Sequence, residues 1–310
     1  MAADWKVVVN EILLTHPGLE FLESTPEFQE KYAETVVVRI YYTVNRAGNG
    51  RLTLREMKRS NLMNTMVLLD KEPDINKVLD FFSYEHFYVL YCKFWELDTN
   101  HDHVIDKEDL LRYANYSLTF RIVDRIFDEI PRKMVCQTPG KMCYEDFIWF
   151  LLSEEDKETP TALEYWFRCV DLDGDGAITP TEMRYFYQEQ VHRMECISQE
   201  VVQFEDVLCQ ISDMIHPSVE GRFTMRDLRK SGHAATFFNI LTNLSKLIAH
   251  ENRDPFVMRQ EQALGATPWE RFARVEYDQM ALEDDADAEG AAGGEWDYAQ
   301  GGGGASESPF

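Results

Sequence analysis

A twelve-residue pattern recurs five times along this 310-residue chain and constrains its fold more than any other feature. Every copy has an apolar residue at position eight and an acidic residue at position twelve, and all but one have glycine at position six. The copies begin at Asn45, Asp98, Val135, Asp171 and His216. Repetition at intervals of tens of residues indicates an array of similar supersecondary units.

The copy that begins at Asp171 offers an oxygen at each position where the calcium loop of an EF-hand needs one. Together its side chains and one backbone carbonyl provide about seven oxygens, and calcium takes roughly six to eight. The predicted ligands are Asp171, Asp173, Asp175, Ala177, Thr179 and Glu182. Gly176 at position six permits the left-handed backbone of the sharp turn. We therefore predict a strong calcium site here.

The copy that begins at Asp98 departs from this pattern at two positions. His103 replaces the glycine of position six, which costs on the order of 1 kcal/mol at positive φ. Asp109 replaces the bidentate glutamate and is one methylene shorter. The predicted ligands are Asp98, Asn100, Asp102, Val104, Asp106 and Asp109. We predict a second, weaker calcium site that tolerates magnesium better, and a loop that no longer binds metal is the alternative.

The remaining three copies lack carboxylates at positions one and three, and we call the loops that begin at Asn45, Val135 and His216 the silent loops. EF-hands normally pair through a short antiparallel bridge between their position-eight residues. The expected bridges are Ile105 with Met142 and Ile178 with Phe223. Each of these pairs then combines one calcium loop with one silent loop. The fold class is all-α, an elongated array of paired EF-hand helix-loop-helix units with short loop-to-loop β bridges.

Apolar periodicity and capping residues predict two helices before the first loop. Trp5, Val8 and Ile12 lie on one face of the first, and Thr25 with Pro26 begins the second. After residue 282 the sequence becomes acidic and then glycine-rich, which predicts disorder. The predicted divisions are an N-terminal helical region at 1–82, a first calcium pair at 83–152, a second calcium pair at 153–250, a C-terminal helical extension at 251–282 and a disordered tail at 283–310.

Charge and motif content exclude several classes of function. Asp and Glu number 55 against 31 Lys and Arg, and a net charge of −24 disfavours nucleic acid and anionic membranes as partners. The six cysteines have no CxxC spacing, which predicts reduced core thiols in an intracellular protein, cytoplasmic or nuclear. No phosphate-binding loop, nucleophile elbow or dinucleotide fingerprint is present, so the chain is not expected to be an enzyme.

Several aromatic-rich segments resemble the B-double-prime regulatory subunits of protein phosphatase 2A. The similarity covers roughly residues 4 to 282. The segments that carry it are 83–98 (SYEHFYVLYCKFWELD), 153–157 (SEEDK), 164–169 (EYWFRC), 268–272 (PWERF) and Glu276-Tyr277. Members of that family usually have a long region before the point where this chain begins, so substrate-recruiting elements of that region are expected to be missing here.

The resemblance implies a non-catalytic subunit that binds the scaffold and catalytic subunits of the phosphatase and selects phosphoprotein substrates. It also implies a response to calcium through the loops at Asp98 and Asp171. A free-standing EF-hand calcium sensor or buffer is the main alternative, and a calcium-controlled enzyme is a third. Sensors that bind target helices usually carry two calcium loops in each lobe. One calcium loop in each pair favours the regulatory subunit.

Overall fold

The computed structural model describes residues 2–252 and 265–294, and it shows a helical protein with one small two-stranded sheet in that part of the chain. The helices are α1 (Ala2–Thr15), α2 (Pro26–Val44), α3 (Leu54–Arg59), α4 (Leu62–Leu69), α5 (Tyr84–Leu97), α6 (Lys107–Leu111), α7 (Phe120–Phe127), α8 (Tyr144–Glu155), α9 (Pro160–Val170), α10 (Pro180–Cys196), α11 (Phe204–Ile215), α12 (Met225–Ser231), α13 (Ala234–Thr242), α14 (Leu244–Glu251) and α15 (Pro268–Gly294). The strands are β1 (Ala177–Ile178) and β2 (Phe223–Thr224). The all-α class is confirmed.

Both helices predicted before the first loop are present. His16 ends α1 and accepts a hydrogen bond from the Gly18 amide at 3.1 Å, and a short 3-10 helix follows. Pro26 is the first residue of α2, as predicted. Thr25 precedes it without capping, because its hydroxyl donates to the Leu22 carbonyl at 3.1 Å.

Two hydrophobic cores organise the described part of the chain. The first lies between residues 9 and 87 and packs α1 against α2. The second extends from Val38 to Ala273 and includes the interiors of both calcium pairs. α2 contributes to both cores, with Val37 in the first and Val38 in the second. Neighbouring residues on one helix therefore tie the N-terminal region to the calcium-loop region.

The predicted loop pairings are confirmed. Ile105 and Met142 exchange two backbone hydrogen bonds of 2.8 Å, and Ile178 of β1 pairs antiparallel with Phe223 of β2. All four side chains are buried in the second core. The silent loops that begin at Val135 and His216 are therefore held beside their calcium loops by backbone bonds and a shared apolar contact.

The position-twelve acid of each silent loop in these pairs closes that loop by hydrogen bonds. Asp146 accepts from the amides of Val135 and Cys136, and its Oδ1 also accepts from Arg132 at 3.0 Å. Asp227 accepts from the amide and hydroxyl of Ser218, at 3.2 and 2.6 Å. These hydrogen bonds, with one charged donor at Asp146, close the two silent loops through protein groups.

The C-terminal helix α15 packs on α5, the helix that leads into the Asp98 loop. Trp269 donates its indole hydrogen to His86 Nδ1 at 3.2 Å, and Lys93 forms a 2.8 Å ion pair with Glu276. α15 continues to Gly294, so the prediction of disorder is wrong for residues 283 to 294. Its alanines favour helix and extend the element. The predicted tail from 295 to 310 and the stretch 253–264 of the C-terminal extension lie outside the described residues.

The structure bears on the prediction of reduced core thiols and on whether a helix could cross a membrane. All six cysteines are free thiols, but Cys169 is the only one of the six that is fully buried, and Cys196 and Cys209 are exposed. The prediction of core thiols therefore holds for Cys169 and fails for the two exposed residues, which lie on outward faces of α10 and α11. Among the described residues, no helix is both long and apolar enough to cross a bilayer.

Candidate calcium sites

The Asp171 loop joins the end of α9 to the start of α10 and gathers three carboxylates. One oxygen from each of Asp171, Asp173 and Asp175 lies within 4.8 Å of the others. The two oxygens of Asp171 accept from the amides of Gly174 and Gly176 at 2.8 and 3.1 Å. Both glycines have positive φ, 70° and 85°. The loop backbone therefore turns the acids toward one point, which is the arrangement that a hard cation needs.

Glu182 closes this loop from the first turn of α10. Its Oε1 accepts from the amide of Leu172 at 2.6 Å, and its Oε2 accepts from the amide and hydroxyl of Thr179 at 2.7 and 2.8 Å. Thr179 in turn caps α10, so the two residues form a capping box. The hydroxyl of Thr179 is directed to Glu182, while the Ala177 residue lies in β1 beside the silent loop.

The Asp98 loop has the same hydrogen-bond frame, despite its different sequence. Asp98 Oδ2 accepts from the amide of His103 at 2.9 Å, as Asp171 does from position six of its own loop. Asp102 Oδ1 accepts from the Val104 amide at 3.1 Å, and Asn100 Nδ2 donates to Asp102 Oδ2 at 3.2 Å. The residues at positions one, three and five are therefore brought together here too.

Two histidines take the left-handed conformations that glycines take in the Asp171 loop. His101 and His103 have φ of 56° and 63°. Both rings pack against Trp95, with centroids 5.5 and 5.2 Å away. Aromatic contacts of this kind contribute roughly 0.5–1.5 kcal/mol each, which offsets part of the backbone strain of about 1–3 kcal/mol at each residue. The sequence pattern indicates the strain but not the tryptophan that compensates for it.

Position twelve is where the two calcium loops differ most. Asp109 Oδ2 accepts from the Asp106 amide at 2.9 Å, and its Oδ1 forms a 2.5 Å ion pair with Arg112 one turn later. Asp106 Oδ1 caps α6 by accepting from the amides of Glu108 and Asp109. One oxygen of Asp109 is thus paired with a guanidinium, whereas both oxygens of Glu182 accept hydrogen bonds from uncharged donors.

The donor sets of both loops fit calcium. Hard cations prefer carboxylate and carbonyl oxygens on a compliant frame, and both loops carry such donors. Among the described residues, the close carboxylate cluster consists of Asp171, Asp173 and Asp175, while Glu182 is hydrogen-bonded to Leu172 and Thr179. Burial raises the pKa of Asp171, with further contributions from the nearby carboxylates of Glu182 and Asp173, while two backbone amides oppose the shift. The neighbouring carboxylates that add to this shift also attract a divalent cation.

Three basic residues at these loops were not predicted from the sequence. Arg222 and Lys141, at position seven of two silent loops, contact Asp175 and Asp102 of the paired calcium loops. Their position-seven placement is visible in the sequence, so the pairing rule could have found them. Arg125 on α7 donates to three carbonyls at the end of α9, including that of Asp171. No sequence signal points to that contact, because the partners are 43 to 46 residues apart.

Comparisons with known proteins agree with this architecture. An EF-hand domain model matches residues 1–72, and an EF-hand domain pair model matches residues 87–188. The chain is 58% identical over 296 residues to a probable B''delta regulatory subunit of serine/threonine protein phosphatase 2A from Arabidopsis thaliana, covering 95% of this chain and 55% of the relative. It is 47% identical over 290 residues to the alpha member of the B'' regulatory subunits of Homo sapiens, covering 92% of this chain and 25% of that protein.

A solved structure extends the similarity to three dimensions. A chain from a PP2A PR70 holoenzyme matches with a TM-score of 0.74 and 47% sequence identity, over 80% of this chain and 92% of that chain. The present chain spans about half the length of the Arabidopsis relatives that it matches. Sequence and fold nevertheless agree over nearly all of the solved chain. This protein therefore belongs to the B'' family of protein phosphatase 2A regulatory subunits.

Proposed function

We propose that this chain is a non-catalytic regulatory subunit that binds the scaffold and catalytic subunits of protein phosphatase 2A and directs them to phosphoprotein substrates. Calcium at the Asp171 and Asp98 loops tunes the association. The observation that carries the proposal is the cluster of Asp171, Asp173 and Asp175, built into a chain that shares its fold with a chain of a PP2A PR70 holoenzyme.

The helices around the Asp171 loop are packed in a way that supports a conformational role. The indole of Trp166 on α9 donates to the Ser153 carbonyl of α8 at 2.7 Å. The hydroxyl of Thr161, also on α9, donates to the Tyr42 carbonyl at the end of α2 at 2.9 Å. Bound calcium would neutralise the loop carboxylates. A change in the angle between α9 and α10 would therefore reach both α8 and the N-terminal region.

The Asp98 loop has a corresponding connection to the C-terminal helix. α5 leads into this loop, and Lys93 on α5 pairs with Glu276 on α15. Lys93 also pairs with Glu96 at 2.9 Å, so one ammonium group joins two carboxylates. A change in the angle between α5 and α6 would thus also move α15. Both calcium loops act on helices that carry the family resemblance.

The test is a measurement of affinity for the assembled scaffold and catalytic subunits. Wild type and a variant with Asp171→Ala and Asp173→Ala are each measured in calcium and in chelator. Wild type should bind more tightly in calcium, and the variant should lose that difference. By linkage, calcium must then bind the assembled complex more tightly by the same factor. Equal affinities in all four conditions contradict calcium tuning, and no binding in any condition contradicts the subunit assignment.

The alternative, a free-standing sensor, makes a different prediction for the same chain. Sensor EF-hands open a methionine-rich groove when calcium binds. Here Met142, Met183 and Met194 are buried in the second core. A sensor should bind an amphipathic target helix in calcium without any phosphatase subunit, whereas the proposed regulatory subunit should not.

A further inference from the structure

Two silent loops each direct a basic side chain at the calcium loop paired with them. Nη2 of Arg222 lies 2.7 Å from Oδ2 of Asp175. Nζ of Lys141 lies 3.4 Å from Oδ2 of Asp102 and 3.3 Å from Oδ2 of Asp106. In both pairs the base occupies position seven of the silent loop, and an acceptor occupies position five of the calcium loop. The same contact is therefore made twice.

Backbone pairing explains why position seven carries this contact. Position eight of each loop lies in the bridge between the two loops, through Ile178 with Phe223 in one pair. Arg222 directly precedes Phe223, so its side chain emerges beside the facing loop. The calcium loops have Val104 and Ala177 at their own position seven, which carry no charge. At position seven, the basic residues thus lie on the silent side of each pair only.

The contact is made to a carboxylate that belongs to the candidate metal site. Oδ1 of Asp175 accepts from the Ala177 amide at 2.9 Å, which leaves Oδ2 for Arg222. Oδ1 of Asp102 likewise accepts from the Val104 amide, with Oδ2 directed to Lys141.

We propose that Arg222 and Lys141 set the calcium affinity of the loops that face them. Each acts as a tethered counter-ion, which neutralises the position-five carboxylate when the loop is free of metal and opposes the arrival of a divalent cation. A silent loop is then more than a structural partner, because it lowers the affinity of its neighbour. This inference rests on the proposed calcium function of the Asp171 and Asp98 loops.

The size of the effect follows from Coulomb's law. A unit charge roughly 5–6 Å from a divalent ion in a water-like dielectric changes affinity by about tenfold. Arg222 and Asp175 are partly exposed, 46% and 38%, so solvent and salt reduce this to about three- to tenfold. Lys141 makes longer contacts and divides them between two acids, so about twofold is expected there.

The experiment is a calorimetric calcium titration of the full chain at low ionic strength. Arg222→Gln removes the charge but retains a hydrogen-bond donor, and Arg222→Lys retains the charge but not the planar fork. Arg226→Gln is the matched control, because it removes the charge of an exposed arginine in the same silent unit. We expect the first variant to bind calcium about three- to tenfold more tightly at the Asp171 loop. Arg222→Lys and Arg226→Gln should each bind calcium with an affinity within about twofold of wild type.

A parallel pair tests the other calcium loop. Lys141→Gln should tighten binding at the Asp98 loop by about twofold, and Lys133→Gln, which removes an exposed lysine nearby in the sequence, should not. Raising the salt concentration should shrink the gain of Arg222→Gln, since screening weakens the repulsion that it relieves.

The outcomes separate this inference from the function on which it rests. If wild type binds no calcium, the proposed calcium function fails. If wild type binds calcium but Arg222→Gln binds it equally or more weakly, Arg222 orients Asp175 rather than opposing the ion, and the inference is overturned. Arg222 and Lys141 lie at the surface of the loops, so their replacement should leave the melting temperature without calcium unchanged. An unchanged melting temperature shows that the variant is folded.

Discussion

The guanidinium of Arg125, on α7, donates at 2.8 Å to the backbone carbonyl of Asp171, the first residue of a candidate calcium loop. It also donates to the carbonyls of Arg168 and Cys169 at 3.1 and 2.9 Å. These carbonyls lie at the end of α9, where the last carbonyls of a helix have no partner within it. A cation at a helix C-terminus is favourable as well. One side chain from the first calcium pair thus fixes where the loop of the second pair begins.

Replacing Arg125 with alanine should destabilise the chain by about 1–3 kcal/mol, because three carbonyls lose a charged donor. Arg125→Lys should recover only part of this, since an ammonium group cannot reach all three acceptors. Urea unfolding in chelator measures both variants. Arg226→Ala is the control, as it removes an exposed arginine of α12. An alanine variant as stable as wild type would show that the contact contributes nothing.

Glu182→Gln should weaken calcium binding at the Asp171 loop by at least about tenfold, equivalent to about 1.4 kcal/mol. Gln keeps the shape but loses the charged, bidentate carboxylate of position twelve. Calorimetry of wild type and variant gives the comparison, and Glu195→Gln, on an exposed face of the same helix, is the control. Unchanged affinity and stoichiometry in the Glu182 variant are incompatible with a metal-binding loop at Asp171.

Exchanging the position-twelve acids should alter the two loops in opposite directions. Asp109→Glu restores the longer carboxylate and should strengthen calcium binding at the Asp98 loop by about tenfold. Glu182→Asp should weaken the Asp171 loop by a similar factor. Both are measured by calcium titration, each in a chain whose other loop is disabled. If Asp109→Glu gives no gain, the ion pair with Arg112, not the length of the side chain, limits the Asp98 loop.

Asp227→Asn should destabilise the chain by about 1–3 kcal/mol near neutral pH. The reason is that the charged carboxylate accepts hydrogen bonds from the hydroxyls of Ser218 and Thr224. These bonds lower the pKa of Asp227 to about 2, against roughly 4 in an unfolded chain. Its stabilisation is therefore complete above about pH 4 and is lost as the pH falls toward 2. The difference between wild type and variant should shrink over that range.

Urea unfolding at a series of pH values measures that difference. Asp213→Asn, an exposed acid on α11, provides the matched charge change. A destabilisation by Asp227→Asn that stays constant down to about pH 2 would refute the role assigned to the carboxylate. An effect equal to that of Asp213→Asn would do the same.

Local spacing was enough to predict the loops and their pairing. Position six needs positive φ, position eight needs an apolar side chain and position twelve needs an acid, and each demand concerns a single residue at a fixed offset. Ile105 with Met142 and Ile178 with Phe223 then follow from the pairing rule, and the structure has both. Helix α15 extends beyond residue 282, where the helical extension was predicted to end, because the acidic segment that suggested disorder also contains helix-favouring alanines.

The sequence by itself thus determined the helical class, the two candidate calcium loops, their silent partners and the weakness expected at Asp109. Only the tertiary structure decided which distant groups act on those loops. Arg125 reaches Asp171 from 46 residues away, from a helix that belongs to the other loop pair. The physical reason is the sequence separation of the interacting residues. Turn geometry and ligand spacing depend on residues that are neighbours in the chain, whereas a charge contact depends on how separate helices pack. Packing of that kind leaves no periodic trace in a single sequence.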